Sequence, residues 1–115
     1  MPYAAPTHNL LVMSQLDGLF GALADPTRRA IVGRLAERDL GVLELAGDFP
    51  ISQPAVSKHL RVLEDAGLVS RRQVGRQRLC KLEPHRLQPV AAWVSPYERF
   101  WTGSFARLDA YLEGQ

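Results

Sequence analysis

Apolar side chains recur at helical spacing early in the chain, at Leu16, Leu19, Phe20 and Leu23, and predict an amphipathic helix over Leu10 to Ala24. Asp25-Pro26 closes that segment, because Asp25 is a good N-cap and proline is preorganised for a first helical position. A second helix should follow with Ile31, Leu35 and Ala30 inward, ending near Arg38 to Gly41. Val42 to Gly47 reads as a short third helix that packs through Val42, Leu45 and Ala46 and is broken by Gly47-Asp48-Phe49-Pro50. Ser52 is then the expected N-cap of a longer helix. Gln53 and Pro54 open it and Ala66-Gly67 ends it, glycine being favoured just past a helix terminus. Two helices joined by so short a turn form a helix-turn-helix candidate.

Beyond Gly67 the period changes from helical to strand-like. Leu68 to Gln73 and Gln77 to Leu82 flank Val74-Gly75-Arg76, a hairpin signal because glycine accepts the positive φ of a tight turn. After Glu83-Pro84, the residues Leu87, Val90, Val94, Tyr97, Trp101, Phe105, Leu108 and Leu112 recur every three or four positions. Pro89 and Pro96 predict that this last helical region comes in two pieces, since an interior proline removes a hydrogen bond and clashes with the preceding turn. The expected fold is mainly α with a small β-hairpin, a winged helix-turn-helix of order α-α-α-α-β-β-α. One domain over residues 10–115 follows a loose arm at residues 1–9.

Length and composition fit that reading. A chain of 115 residues buries roughly 60–70% of its unfolded surface, enough for a core without disulfides or a structural metal. The single Cys80 has no partner within the chain, which suggests a reducing, cytoplasmic setting. Met1 to Asn9 contains neither the charges nor the apolar run of a secretory signal. No stretch reaches the about 18 apolar residues of a membrane span, so no membrane partner is expected.

The net charge of +2 says little, but its distribution says more. Between Ser52 and Lys81 seven cationic side chains face two acidic ones, a local balance of +5 that leaves −3 for the rest of the chain. One-sided charge of this kind is the footprint of a polyanion partner, although basic solvated faces are also common.

Winding Ser52 to Ala66 at about 100° per residue puts Ala55, Val56, Leu60, Val62, Leu63 and Ala66 on one face and Gln53, Ser57, Lys58 and Arg61 on the other. In a helix-turn-helix the second helix enters the major groove with its N-terminal residues towards base edges. Gln53 and Ser57 are therefore the candidate base readers, flanked by Ser52 and Pro54, and Gln suits adenine. Lys58 and Arg61 are placed for phosphate, with guanine contact by Arg61 the bolder alternative. His59 belongs to the same DNA-facing segment, yet the winding sets it within the apolar stripe. A packed or capping imidazole with a backbone partner is the expectation there. The hairpin adds Arg71, Arg72, Arg76 and Arg78, with Arg76 beside the turn glycine and best placed to reach a minor groove or backbone.

The strings FGALADPTRRAI (Phe20 to Ile31), SQPAVSKHLRVLEDAGL (Ser52 to Leu68) and SRRQVGRQRLCKL (Ser70 to Leu82) together resemble the ArsR/SmtB family of winged-helix repressors, over about Leu16 to Leu112. The resemblance implies a homodimer built from the first and last helices, two recognition helices on an inverted-repeat operator in double-stranded DNA, and release when an inducer binds. Residues 10–24 and 86–113 would then contribute to dimerisation. Leu16, Leu19, Phe20, Val94, Tyr97, Trp101, Phe105, Leu108 and Leu112 are the candidate interface, more apolar surface than so small a core needs.

The chain departs from the family where metals are concerned. Many members carry paired cysteines on the short helix before the turn, whereas Leu43 to Asp48 (LELAGD) has none, and no histidine follows His85. Soft and borderline metals need several Cys or His ligands converging on one point, so neither a metal nor another cofactor is expected, and the inducer is left unidentified. Cys80 reads as a buried inert thiol. Oxidation sensing, the alternative, needs an accessible thiolate and a resolving partner. No phosphate loop, nucleophile elbow or paired carboxylates point to an enzyme, and Asp25, Glu44 and Asp48 fit capping or solvent roles. A winged helix used only for protein contacts is the other rival, disfavoured by the cations along the fourth helix and the wing.

Overall fold

The computed structural model of the chain describes the backbone over residues 8–102 and the side chains over residues 14–102. Its first helix, α1 (His8–Leu23), begins two residues before the expected start at Leu10. The remainder of the predicted arm, residues 1–7, lies outside the described residues. Asp25 stands in extended conformation and its carboxylate accepts the Arg28 amide at 3.0 Å, which starts α2 (Pro26–Glu37) with proline in its first turn. This is the cap that the Asp-Pro pair predicts.

Leu40–Gly41 is a two-residue strand, β1, that the sequence reading does not contain. Two residues are too few to carry an alternation of polar and apolar positions, so only the pairing partner reveals them. Helix α3 (Val42–Gly47) follows, its start held by Glu44 Oε1, which accepts the Gly41 amide at 3.0 Å. Then comes α4 (Gln53–Asp65), N-capped by Ser52, whose hydroxyl oxygen accepts the Ala55 amide at 3.2 Å. At its far end Gly67 takes φ +79°, the Gly67 amide donates to Glu64 O and the Leu68 amide to Leu63 O. That pair of bonds is a Schellman motif, and its accompanying apolar contact joins two fully buried leucines, Leu63 and Leu68.

The wing is β2 (Val69–Val74) and β3 (Gln77–Leu82), antiparallel, with Val74 opposite Gln77 and only Gly75 and Arg76 between. Gly75 has φ +61° while Arg76 does not have a positive φ, the pattern of a type II′ turn that demands glycine at its first central position. The hairpin gains a third strand on its other side, because Leu40 pairs with Cys80 and Gly41 with Leu79, giving the order β1-β3-β2. A 3-10 helix at Pro84–Leu87, α5 (Gln88–Val94) and a second 3-10 helix at Ser95–Phe100 complete the described chain. The described region thus comes in three pieces rather than the expected two, with its boundaries just ahead of Pro89 and Pro96.

The core gathers one face from each element. Leu19 and Ala22 of α1, Ile31 and Leu35 of α2, Leu40 of β1, Leu45 of α3, Val56, Leu60 and Leu63 of α4, and Val69, Cys80 and Leu82 of the sheet form one buried cluster. Two residues expected to face inward turn to solvent instead. Ala30 is exposed, and Val62 keeps 38% of its surface in solvent, because the stripe that meets the core runs through residues 56, 60 and 63 and is narrower than the sequence suggests. Leu60 is fully buried, so Leu60→Ala should cost about 2–5 kcal/mol of unfolding free energy by lost transfer energy and cavity formation. Urea unfolding of the variant reads this as a fall in midpoint at unchanged slope; a cost under about 1 kcal/mol would mean that α4 is not pinned where described.

Candidate nucleic-acid interface

The burial of Val56, Leu60 and Leu63 turns the opposite side of α4 to solvent. Ser52, Gln53, Pro54, Lys58 and Arg61 are exposed and Ser57 is half-buried, so every residue assigned to the polar face lies at or near the surface. Ser52 is occupied as the cap, which leaves its hydroxyl less available than that of Ser57. Helix α3 packs against α4 to form the helix-turn-helix pair.

The wing arginines divide into two kinds. Arg71 forks onto Glu64 of α4, with Nε at 3.1 Å from one carboxylate oxygen and a terminal nitrogen at 3.3 Å from the other. Both side chains of this bidentate pair are about three-quarters buried. Arg72 reaches Asp39, ahead of β1, at 3.4 Å. These two are structural ties, which makes them weaker candidates for phosphate than the sequence suggests: Arg71 joins the wing to α4 and Arg72 joins the wing to the α2–β1 turn. Arg76 and Arg78 are exposed, and among the described residues neither has a carboxylate within ion-pair distance. The same holds for Lys58 and Arg61.

His59 needs correcting in one respect. It is half-buried, as its place in the apolar stripe predicts, but its partners are side chains rather than backbone: Nδ1 lies 3.3 Å from an Arg28 terminal nitrogen and 3.9 Å from Asp25 Oδ2. It therefore points back towards the start of α2, away from a base-reading role. The Arg28 amide bonded to Asp25 holds that carboxyl below its ordinary pKa, and the Arg28 guanidinium adds to the effect. Glu83 is held low chiefly by the Ser70 hydroxyl that donates to it, with Lys81 nearby. Carboxylates whose pKa is depressed on folding stabilise the fold when ionised, and that contribution is lost as the pH falls through their lowered values. Cys80 is fully buried, and burial pushes its thiol pKa up, the reverse of what a redox-sensing thiolate requires.

Arg28, Asp39 and Glu64 organise this region and none was singled out from sequence. Their partners lie far along the chain or across elements, and no local spacing encodes them.

On the other side, α1 and the C-terminal segment expose aromatic rings. Phe20 meets Trp93 edge-on at 5.6 Å between centroids and Trp93 leans on Tyr97 at 5.4 Å. Trp93 is 50% exposed and Phe100 66%, with Phe20, Tyr97 and Trp101 also open. Of the residues expected at an interface, Phe20, Tyr97 and Trp101 are thus on this surface and Val94 is half-buried beside it. Leu16 and Leu19 are already covered within the subunit. Phe105, Leu108 and Leu112 lie outside the described residues. Trp93 and Phe100 belong to the patch although neither is in the predicted series; each is exposed and lies one position before a member of it, Val94 and Trp101. Among the described residues no group of three or more His, Cys, Asp or Glu side chains is placed to hold a metal ion, and no helix is long and apolar enough to cross a membrane.

A helix-turn-helix whose second helix is exposed on one side and braced against a basic hairpin defines a winged helix-turn-helix transcriptional regulator. Residues 25–71 match the family described as bacterial regulatory protein, arsR family. The chain is 52% identical over 99 residues to the HTH-type transcriptional regulator Rv2034 of Mycobacterium tuberculosis, covering 86% of this chain and 90% of that one. Its fold is similar to that of the ArsR family transcriptional regulator RHA00566, with TM-score 0.67 and 42% identity over 77% of this chain and 92% of that chain. It is also similar to the homodimeric winged helix-turn-helix DNA-binding domain Mb0332 of Mycobacterium bovis, with TM-score 0.65 and 20% identity over 87% and 94% of the two chains. The chain belongs to the ArsR family of bacterial transcriptional regulators.

The division among the wing arginines is measurable. Arg71→Ala should lower unfolding free energy by about 1–2 kcal/mol, since it breaks a part-buried charged pair, while Arg76→Ala should stay within about 0.5 kcal/mol of the parent. Chemical denaturation of the two variants side by side checks this, and equal stabilities would remove the structural role given to Arg71.

Proposed function

We propose that the chain represses transcription in the cytoplasm by binding an inverted-repeat operator as a symmetric homodimer, acting by occupancy and not by catalysis. One observation carries the reading. Lys58 and Arg61 on the outer face of α4 and Arg76 and Arg78 on the wing have no carboxylate partner among the described residues, while Arg71 and Arg72 nearby are neutralised. A protein that leaves cations unpaired on the two elements able to follow a duplex has left them for phosphate.

In this reading the N-terminal turn of α4 enters the major groove. Gln53 and Ser57 read base edges, Lys58 and Arg61 clamp the flanking backbone, and Arg76 at the hairpin turn reaches phosphate or minor groove. The exposed rings of Phe20, Trp93, Tyr97 and Trp101 form the contact with the second copy. They are large apolar side chains gathered on one side of a small subunit, and the Mycobacterium bovis domain of similar fold is homodimeric.

Recovering genomic fragments with the purified protein and titrating the best-bound duplex tests this directly. Arg76→Ala should weaken binding to every duplex and lower the slope of log affinity against log salt by about one unit, whereas Gln53→Ala should cost roughly 1–3 kcal/mol chiefly on the selected site. Equal losses on selected and random duplexes would remove Gln53 from base reading. No salt-sensitive binding to any duplex would end the proposal.

A further inference from the structure

The last carbonyls of a helix have no partner inside it, and at the end of α1 they are taken by two arginines of α2. Arg28 Nε donates to Ala22 O at 2.6 Å and a terminal nitrogen donates to Gly21 O at 3.2 Å, while Arg29 donates to Leu23 O at 2.7 Å. Cations at a helix C-terminus are stabilised there by the helix dipole. Arg28 has one further terminal nitrogen, and it points at Nδ1 of His59 on α4. A single planar guanidinium therefore touches both the end of α1, the helix that carries Phe20, and the middle of the helix that carries Gln53, Lys58 and Arg61.

We infer that Arg28 and His59 are positioning residues that couple α1 to α4, and that protonating His59 breaks the coupling. This rests on the proposed DNA-binding role of α4. A guanidinium only donates, so Nδ1 of His59 must accept, which requires the neutral imidazole with its proton on Nε2. Among the described residues the charged groups facing the ring are Arg28 and Asp25, both from the start of α2. Protonation makes Nδ1 a donor and sets two cations 3.3 Å apart, while the Asp25 carboxylate at 3.9 Å becomes the natural partner of the imidazolium. The ring then passes from Arg28 to Asp25, and the tie from α1 to α4 is released. Asp25 stays on α2 in either state, so the fold keeps its cap while the link to α1 is lost. The direct consequence is an operator affinity that falls on acidification, relative to a chain without the imidazole, as His59 takes up a proton.

The experiment has a DNA-free arm and a DNA arm. Nitrogen-15 NMR of the intact wild-type chain should find His59 as the Nε2–H tautomer at about pH 7.5, and the amide resonances of Gly21 to Ala24 should follow the titration of His59. In Arg28→Lys, whose single ammonium cannot span three acceptors, those amides should stop following it. In the second arm, the best duplex recovered from a random-sequence library is titrated at about pH 7.5 and about pH 5.5 with wild type and His59→Gln, an uncharged side chain that can still accept from Arg28. The ratio of wild-type to variant affinity should fall about fivefold or more between the two. A proton on Nδ1 at the higher pH, α1 amides indifferent to His59, or matching pH profiles for the two proteins would each overturn the inference. Failure of both proteins to bind any duplex would instead count against the DNA-binding role, and the NMR arm would still decide the coupling.

Discussion

The arrangement depends on the burial of one narrow stripe of α4. Val56, Leu60 and Leu63 are each without solvent exposure, and they sit in the same cluster as Ile31, Leu35, Leu45 and Leu68. A helix fixed by three fully buried positions cannot rotate about its axis without opening cavities, because close-packed interiors tolerate little volume change. The outward direction of Gln53, Lys58 and Arg61 is thus a consequence of what the inward side touches. The helix ends are fixed as firmly, by Ser52 at one and the Gly67 motif at the other.

The polar ties transmit that placement outward. The fork of Arg71 on Glu64 makes wing and α4 one body, and Arg72 on Asp39 binds the outer hairpin strand to the turn that precedes β1. With those two arginines occupied, the cationic surface is smaller than composition suggests and more sharply located. Such a division is useful to a DNA reader, since charges held by carboxylates fix geometry while unpaired ones release counterions.

Much of this was legible in the residues. Asp25-Pro26, Ser52, Gly67 and Gly75 each impose a local backbone requirement, and the helices and hairpin stand where those residues put them. The inward and outward faces of α4 were readable too, save at Val62, where periodicity drew too wide a stripe. What could not be read was long-range pairing. β1 exists only because Leu40 meets Cys80, Arg71 looks like any wing arginine until Glu64 is found beside it, and His59 looks like a buried ring until Arg28 arrives from 31 positions away. The exposed aromatic side was anticipated in its chemistry and in part of its membership: Phe20, Tyr97 and Trp101 are on it, and Trp93 and Phe100, each one position away from the predicted series, join them.

The central claim is that two copies of α4 and its wing meet a duplex in register. Hydroxyl-radical footprinting of the best-bound duplex tests it most directly. The account predicts two protected half-sites related by a two-fold axis and spaced about 10 base pairs, or a multiple of that, from centre to centre. A single asymmetric footprint, or protection with no fixed spacing, would contradict it.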